Sequence, residues 1–246
     1  MKVQDITLVL IMGIVSVKPV VGAELSANQI VATADAIMNP DAVVYVKEMK
    51  IVRPKRPTKT MRLKMYMKGD NKIFLEFLAP LREKGKKVLR NGDNMWLYLP
   101  TISRSIRISA KQKTFGGNFS NGDIMRLNLV KDYNATFVDI VRIGGIEAYL
   151  LELKAKDRSI SYDKIIYWIR KDNFLPIRRE FYTSSGKLIK TLTFSGIKKI
   201  GGRLRPTELR MESTLSDEKS IMVDLEIDTS VEIPDEIFTK QYLERN

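Results

Sequence analysis

A two-residue period between Met61 and Lys68 constrains this chain more than any other feature. Met61, Leu63, Met65 and Met67 alternate with Arg62, Lys64, Tyr66 and Lys68. Successive side chains of a strand point to opposite faces, so the stretch predicts a half-buried strand, apolar on one face and mostly cationic on the other. Further strands are predicted at Val43–Arg53, Lys72–Leu78, Lys86–Arg90, Met95–Leu99, Ser103–Ser109, Ala135–Ile143, Ile146–Lys154, Lys164–Arg170, Pro176–Thr183, Leu188–Lys198, Leu204–Ser213 and Ser220–Ile227. Turn residues separate them at Gly69-Asp70-Asn71, Asn91-Gly92-Asp93, Gly144-Gly145, Ser184-Ser185-Gly186 and Gly201-Gly202. Short connections at steady spacing argue for an up-and-down antiparallel sheet and against βαβ units.

Three helical stretches accompany the strands. Ser26–Met38 carries Ile30, Ala34, Ile37 and Met38 on one face; Ser26 and Gln29 stand in capping-box positions and Asn39-Pro40 stops the helix. A short helix is expected over Asn121–Leu127, and a final one from Pro234, whose ring suits a first helical turn. No shift in composition divides the chain. Arg53-Pro54-Lys55-Arg56-Pro57 reads as a basic hairpin loop, which leaves a leader at residues 1–23 and one domain at 24–246.

The leader rests on Met1-Lys2, the apolar run Ile6–Val17 and the small residues Val21-Gly22-Ala23. Asp5 and Lys18 depart from the usual pattern, but the run is far shorter than the roughly 20 residues that span a bilayer. Secretion with cleavage after Ala23 is the expectation. The chain has no cysteine, so the mature protein is expected to have no disulfides and no acylated N-terminal cysteine.

The formal net charge is +13 and unevenly placed. Between Lys47 and Lys68 nine basic residues face one acid, Glu48. In a secreted chain this points to anionic lipid headgroups or an acidic partner, with no role for nucleic acid. Arg53, Lys55, Arg56 and Lys59 are the candidate contacts with a membrane or partner.

Chemistry is poorly provided for. Without histidine or cysteine, Ser-His-Asp and Cys-His catalysis and the common zinc sites are excluded. The acids mostly alternate with apolar residues, as on a wetted face, and Gly116-Gly117 and Gly144-Gly145 lack the setting of a phosphate-binding loop. The chain reads as non-enzymatic, with no metal and no cofactor.

The segment Val88–Ile124 carries a resemblance. Met95-Trp96-Leu97-Tyr98-Leu99-Pro100, then Arg104 and Arg107-Ile108, then Phe115-Gly116-Gly117-Asn118-Phe119-Ser120 with Asp123, resembles the LolA-like outer-membrane lipoprotein-sorting family. The likeness extends from the helix near Ser26 to Ile233-Pro234-Asp235-Glu236-Ile237-Phe238. It implies a mainly β (α+β) fold: a strongly curved antiparallel sheet, an unclosed β-barrel covered by a few short helices. It also implies a periplasmic carrier of acylated lipoprotein or lipid-like cargo, monomeric, with an RND-type or ABC-type inner-membrane partner. In such carriers an arginine holds the cavity lid. The local motif does not match, so that role finds no position here; Arg104 and Arg107, three apart on a strand, face opposite ways and are not expected to form one clamp.

About eleven strands in one curved sheet would enclose more than the short helices can fill. Met61, Leu63, Met65 and Met67 are therefore expected to line a cavity, where unbranched methionines repack around varied acyl chains. Leu75, Phe77, Trp96 and Tyr98 are assigned to the same region, although Met95, Leu97 and Leu99 are equally apolar. Phe115, Gly116, Gly117 and Phe119 are expected to form a mobile flap at its mouth. The competing reading is an adaptor without lipid, docked by its basic face on an RND-type exporter or another envelope complex.

Overall fold

The computed structural model describes residues 25–125, 128–158 and 160–245. The leader and its cleavage point lie outside them, as does the end of the helix expected over Asn121–Leu127.

Alternation becomes structure almost without exception. The strands are β1 (Ala42–Arg53), β2 (Arg56–Lys68), β3 (Lys72–Ala79), β4 (Lys87–Asn91), β5 (Asn94–Leu99), β6 (Arg104–Ile108), β7 (Tyr133–Ile143), β8 (Ile146–Ala155), β9 (Lys164–Arg170), β10 (Pro176–Tyr182), β11 (Leu188–Ile200), β12 (Arg203–Ser213) and β13 (Ser216–Asp228). All thirteen join one sheet, one for each stretch read from the sequence and slightly more than the rough count of eleven for the barrel; even the five-residue β4 and β6 pair fully with their neighbours. Every pairing is antiparallel between chain neighbours, except that β1 pairs with β13 and joins the two halves. β6 and β7 remain as unpaired edges, so the curved sheet is an unclosed barrel.

The inner face holds the main core. On β2 the burial alternates residue by residue, and Met61, Leu63, Met65 and Met67 all point inward. Helix α1 (Ala27–Met38) is capped reciprocally by Ser26 and Gln29, and it lays Ile30, Val31 and Ala34 into the same core beside β7 and β12. Two single-turn helices, α2 (Asn121–Ile124) and α3 (Leu129–Asp132), complete the cover. The sequence pattern had marked α2 but not α3, whose four residues are too few to show a period.

The outer face has a smaller core of its own. The closing segment runs through a 3-10 turn (Asp235–Phe238) and α4 (Lys240–Leu243), with Pro234 immediately before the turn. Ile233, Phe238 and Leu243 from this segment cover Phe74, Leu89 and Tyr98 of β3, β4 and β5. Tyr242 meets Phe74 edge-on at 5.3 Å between ring centroids.

Candidate functional site

Six of the eight residues assigned to a cavity by sequence converge on the inner face: Met61, Leu63, Met65, Met67, Leu75 and Phe77, none more than 5 % exposed. Trp96 and Tyr98 do not join them. Leu89 pairs with Trp96 across β4 and β5, and Val88 pairs with Leu97. Val88 and Leu97 face inward, so Trp96 and Tyr98 must face outward, where they pack under the C-terminal segment. Both faces of β5 are apolar because both are covered, and alternation alone could not rank them.

The glycine-rich loop crosses the inner face as a strap. At one end the Phe115 ring stacks on Phe77 of β3, 5.4 Å between centroids. At Gly116 and Gly117 the backbone lies against Ile51 of β1. Gly117 has φ +73°, and any Cβ there would collide with Ser220 Oγ of β13, so glycine is required twice over. The Asn118 N–H donates to that Ser220 Oγ at 2.8 Å, and its side-chain amide donates to Met211 O and Glu218 O. Lys190 of β11 donates to Asn118 O at 3.0 Å. Phe115 and Phe119 are both 1 % exposed. The phenylalanines expected on a flap are thus seated in the core, as a plug.

Where the strap meets α2, the polar groups form a compact cluster. Ser120 and Asp123 make a capping box at the start of α2. Asp123 pairs with Lys190 at 2.7 Å and accepts from the Tyr162 hydroxyl at 2.9 Å. Burial pushes the Lys190 ammonium down from its ordinary range, and the Asp123 carboxylate opposes that shift. Burial likewise drives the Tyr162 phenol far up, with Asp123 acting in the same direction.

Between the strap, α1 and strands β1, β2 and β10–β13 lies a cavity of about 100 Å³. Its walls are methionine and aromatic: Met38, Met65, Met67, Met222, Phe119, Phe181 and Phe194. Charged groups line it too: Asp35, Lys47, Asp123, Arg179, Arg205 and Asp224. Lys47, one of the basic residues expected outside, points inward and pairs with Asp224. Arg179 donates to the Tyr167 hydroxyl at 2.8 Å and lies 4.3 Å over its ring. Arg205 donates to the last carbonyls of α1, Ile37 O at 3.2 Å and Met38 O at 2.7 Å, and to Tyr45 Oη at 3.1 Å. A cation at a helix C-terminus is favoured by the helix dipole, so Arg205 ties α1 down over the cavity. Ligand pockets usually have roughly 300–1,000 Å³. The cavity as it stands is smaller than that, with space for no more than a few waters.

The predicted outer contacts divide into two pairs. Arg53 is paired with Glu218, and Lys59 with Glu83 at 2.9 Å. Lys55 and Arg56 sit exposed at the β1–β2 tip without ion pairs among the described residues. Arg104 and Arg107 lie on opposite faces of β6, exposed, and form no clamp. No group of three acidic, histidine or cysteine side chains among the described residues is arranged to hold a metal ion.

A curved, unclosed barrel whose methionine-rich inner face is filled by its own loop defines the class of fold. Comparisons agree. A family model described only as uncharacterized protein-like matches residues 69–245. A LolA superfamily protein from Nitrosomonas europaea is 32 % identical, covering 89 % of this chain and all of its own, with a TM-score of 0.82. A DUF1329 family protein from Desulfovibrio piger is 26 % identical over 88 % of this chain and 97 % of its own, TM-score 0.81. A putative outer membrane lipoprotein-sorting protein domain from Vibrio parahaemolyticus shares the fold at 24 % identity, 89 % and 98 % coverage and TM-score 0.79. No curated protein matches the sequence. The chain belongs to the LolA superfamily.

Proposed function

We propose that the protein is a periplasmic carrier that takes up acyl chains of a lipidated protein or lipid-like molecule under its strap and passes them between envelope components. The observation that carries this reading is the plug: Phe115 and Phe119 occupy, from within, the apolar inner face that a cargo would need. Membership of the LolA superfamily supports it, as does the leader expected at residues 1–23.

The exchange needs no covalent step. A cargo chain replaces the two rings, and each acyl methylene it buries gains about 0.8 kcal/mol. Methionine thioethers on the walls adapt to different chain shapes. Arg205 would act as the latch on α1, giving up its bonds to Ile37 O and Met38 O when the cavity fills. An inner-membrane complex of RND or ABC type would load or unload it.

Native mass spectrometry of protein purified from its own periplasm tests the reading. Adducts with the mass of a lipid or an acylated protein are expected. A clean apo mass, together with no uptake of a fluorescent fatty acid, would favour the lipid-free adaptor.

A further inference from the structure

A second pocket, of about 210 Å³, lies on the other side of the Lys190–Asp123 pair from the plugged cavity. Its walls come from three places. The strap region supplies Lys111, Lys113 and Ser120; the loop before β9 supplies Ser161 and Tyr162; β11, β12 and the turn after β12 supply Ile189, Lys190, Ser213 and Leu215. Three lysines and four hydroxyl-bearing residues therefore line one small space. Lys190, Ser120 and Tyr162 already donate to Asp123 behind it, which leaves Lys111, Lys113, Ser161 and Ser213 on its open side. Lys190 is 6 % exposed, while the ammonium of the exposed Lys113 makes no hydrogen bond or ion pair among the described residues.

Asp123 already offsets the charge of Lys190, but Lys111 and Lys113 stand at the same space with no carboxylate paired to either among the described residues. Neighbouring ammonium groups repel one another, and an anion between them relieves that repulsion. Hydroxyl and ammonium donors together suit a tetrahedral oxyanion with several acceptor oxygens. Ile189 and Leu215 add an apolar rim that free phosphate would not use but a glycerol backbone would.

We propose that this pocket binds a phosphate group, and that in the loaded carrier it holds the phosphate of a lipid headgroup whose chains lie beneath the strap. The headgroup assignment rests on the carrier reading; the phosphate site does not. Lys190 is shared between the two compartments, because it also pins the strap at Asn118 O and Asp123. A phosphate drawing on Lys190 competes with both of those bonds, so filling the pocket loosens the plug.

The test uses the whole mature chain, with inorganic phosphate and dihexanoyl phosphatidic acid as probes in calorimetric titrations. Both should bind saturably. Reversing the exposed pair, Lys111→Glu with Lys113→Glu, should weaken both by at least about tenfold without lowering the melting temperature. Should that variant lose stability, Lys113→Gln alone must still weaken both probes. Phosphatidic acid binding more tightly than phosphate would identify a headgroup; equal affinities would identify free phosphate as the source. Absence of saturable phosphate binding, or unchanged affinities in the variants, would overturn the site. A neutral fluorescent monoacylglycerol separates the two claims. If it binds while phosphate does not, the carrier reading stands and this pocket falls; the reverse result spares the pocket alone.

Discussion

Phe119 both plugs the inner face and lines the cavity, so its truncation should move stability and affinity in opposite directions. At 1 % exposure, Phe119→Ala belongs with core truncations that cost about 3–5 kcal/mol. For a chain of this size each kcal/mol shifts the melting temperature by about 2–4 °C, which gives a loss of about 6–20 °C. A cargo that must expel the ring pays part of that same cost in the wild type. Recovering only about 1.4 kcal/mol of it tightens binding about tenfold. Urea melts and titration with a fluorescent fatty acid measure the two quantities on one sample. A destabilised variant whose affinity is unchanged or weaker would make Phe119 permanent core and refute the plug.

The remaining expectations follow from the same geometry. Tyr98→Ala, on the outer face under Phe238 and Leu243, should lower stability by about 3 kcal/mol in urea melts while leaving probe affinity as it was; weakened probe binding would put the cavity on the wrong face. Lys55→Glu with Arg56→Glu should reduce binding to anionic vesicles by more than about tenfold, with wild-type binding falling steeply as salt shortens the Debye length below about 8 Å; unchanged co-sedimentation would reduce the tip to a solvated loop. Glu83 is partly buried, which raises its pKa, but hydrogen bonds from Lys86 and Lys59 outweigh that and hold it below its ordinary 4.5. Its stabilisation is therefore present above pH 4.5 and drains away as pH falls through the lower folded value. Glu83→Gln should flatten the acid limb of a stability–pH curve, and an identical limb would show that the carboxylate adds nothing.

What could be read from the chain divides along sequence distance. Strands, turns, the cap of α1 and the inward stripe of β2 are written in neighbouring residues, and they fell where alternation and turn chemistry put them. The fate of Trp96 and Tyr98 was not local. It depended on a C-terminal segment, more than a hundred residues on, covering the outer face of β5. The polar cluster was hidden for the same reason. Lys47 reads as one more surface cation until β1 pairs with β13 and brings Asp224 to it, 177 residues away. Lys190 and Arg205 likewise look like ordinary alternating cations of β11 and β12. Their roles come from the strap and the end of α1, which only the closed fold sets against them. The one available signal was Asp123 beside Ser120, a capping box inside a glycine-rich loop, which marks a fixed end to the strap.

The account turns on whether the strap must leave the inner face for cargo to enter. The Asn118 N–H donates to Ser220 Oγ at 2.8 Å, so its hydrogen exchange reports directly whether the strap stays seated. The measurement is exchange across residues 115–120 in the apo protein and with a fluorescent fatty acid bound. Faster exchange on loading is predicted; unchanged protection with the fatty acid bound would contradict displacement of the strap.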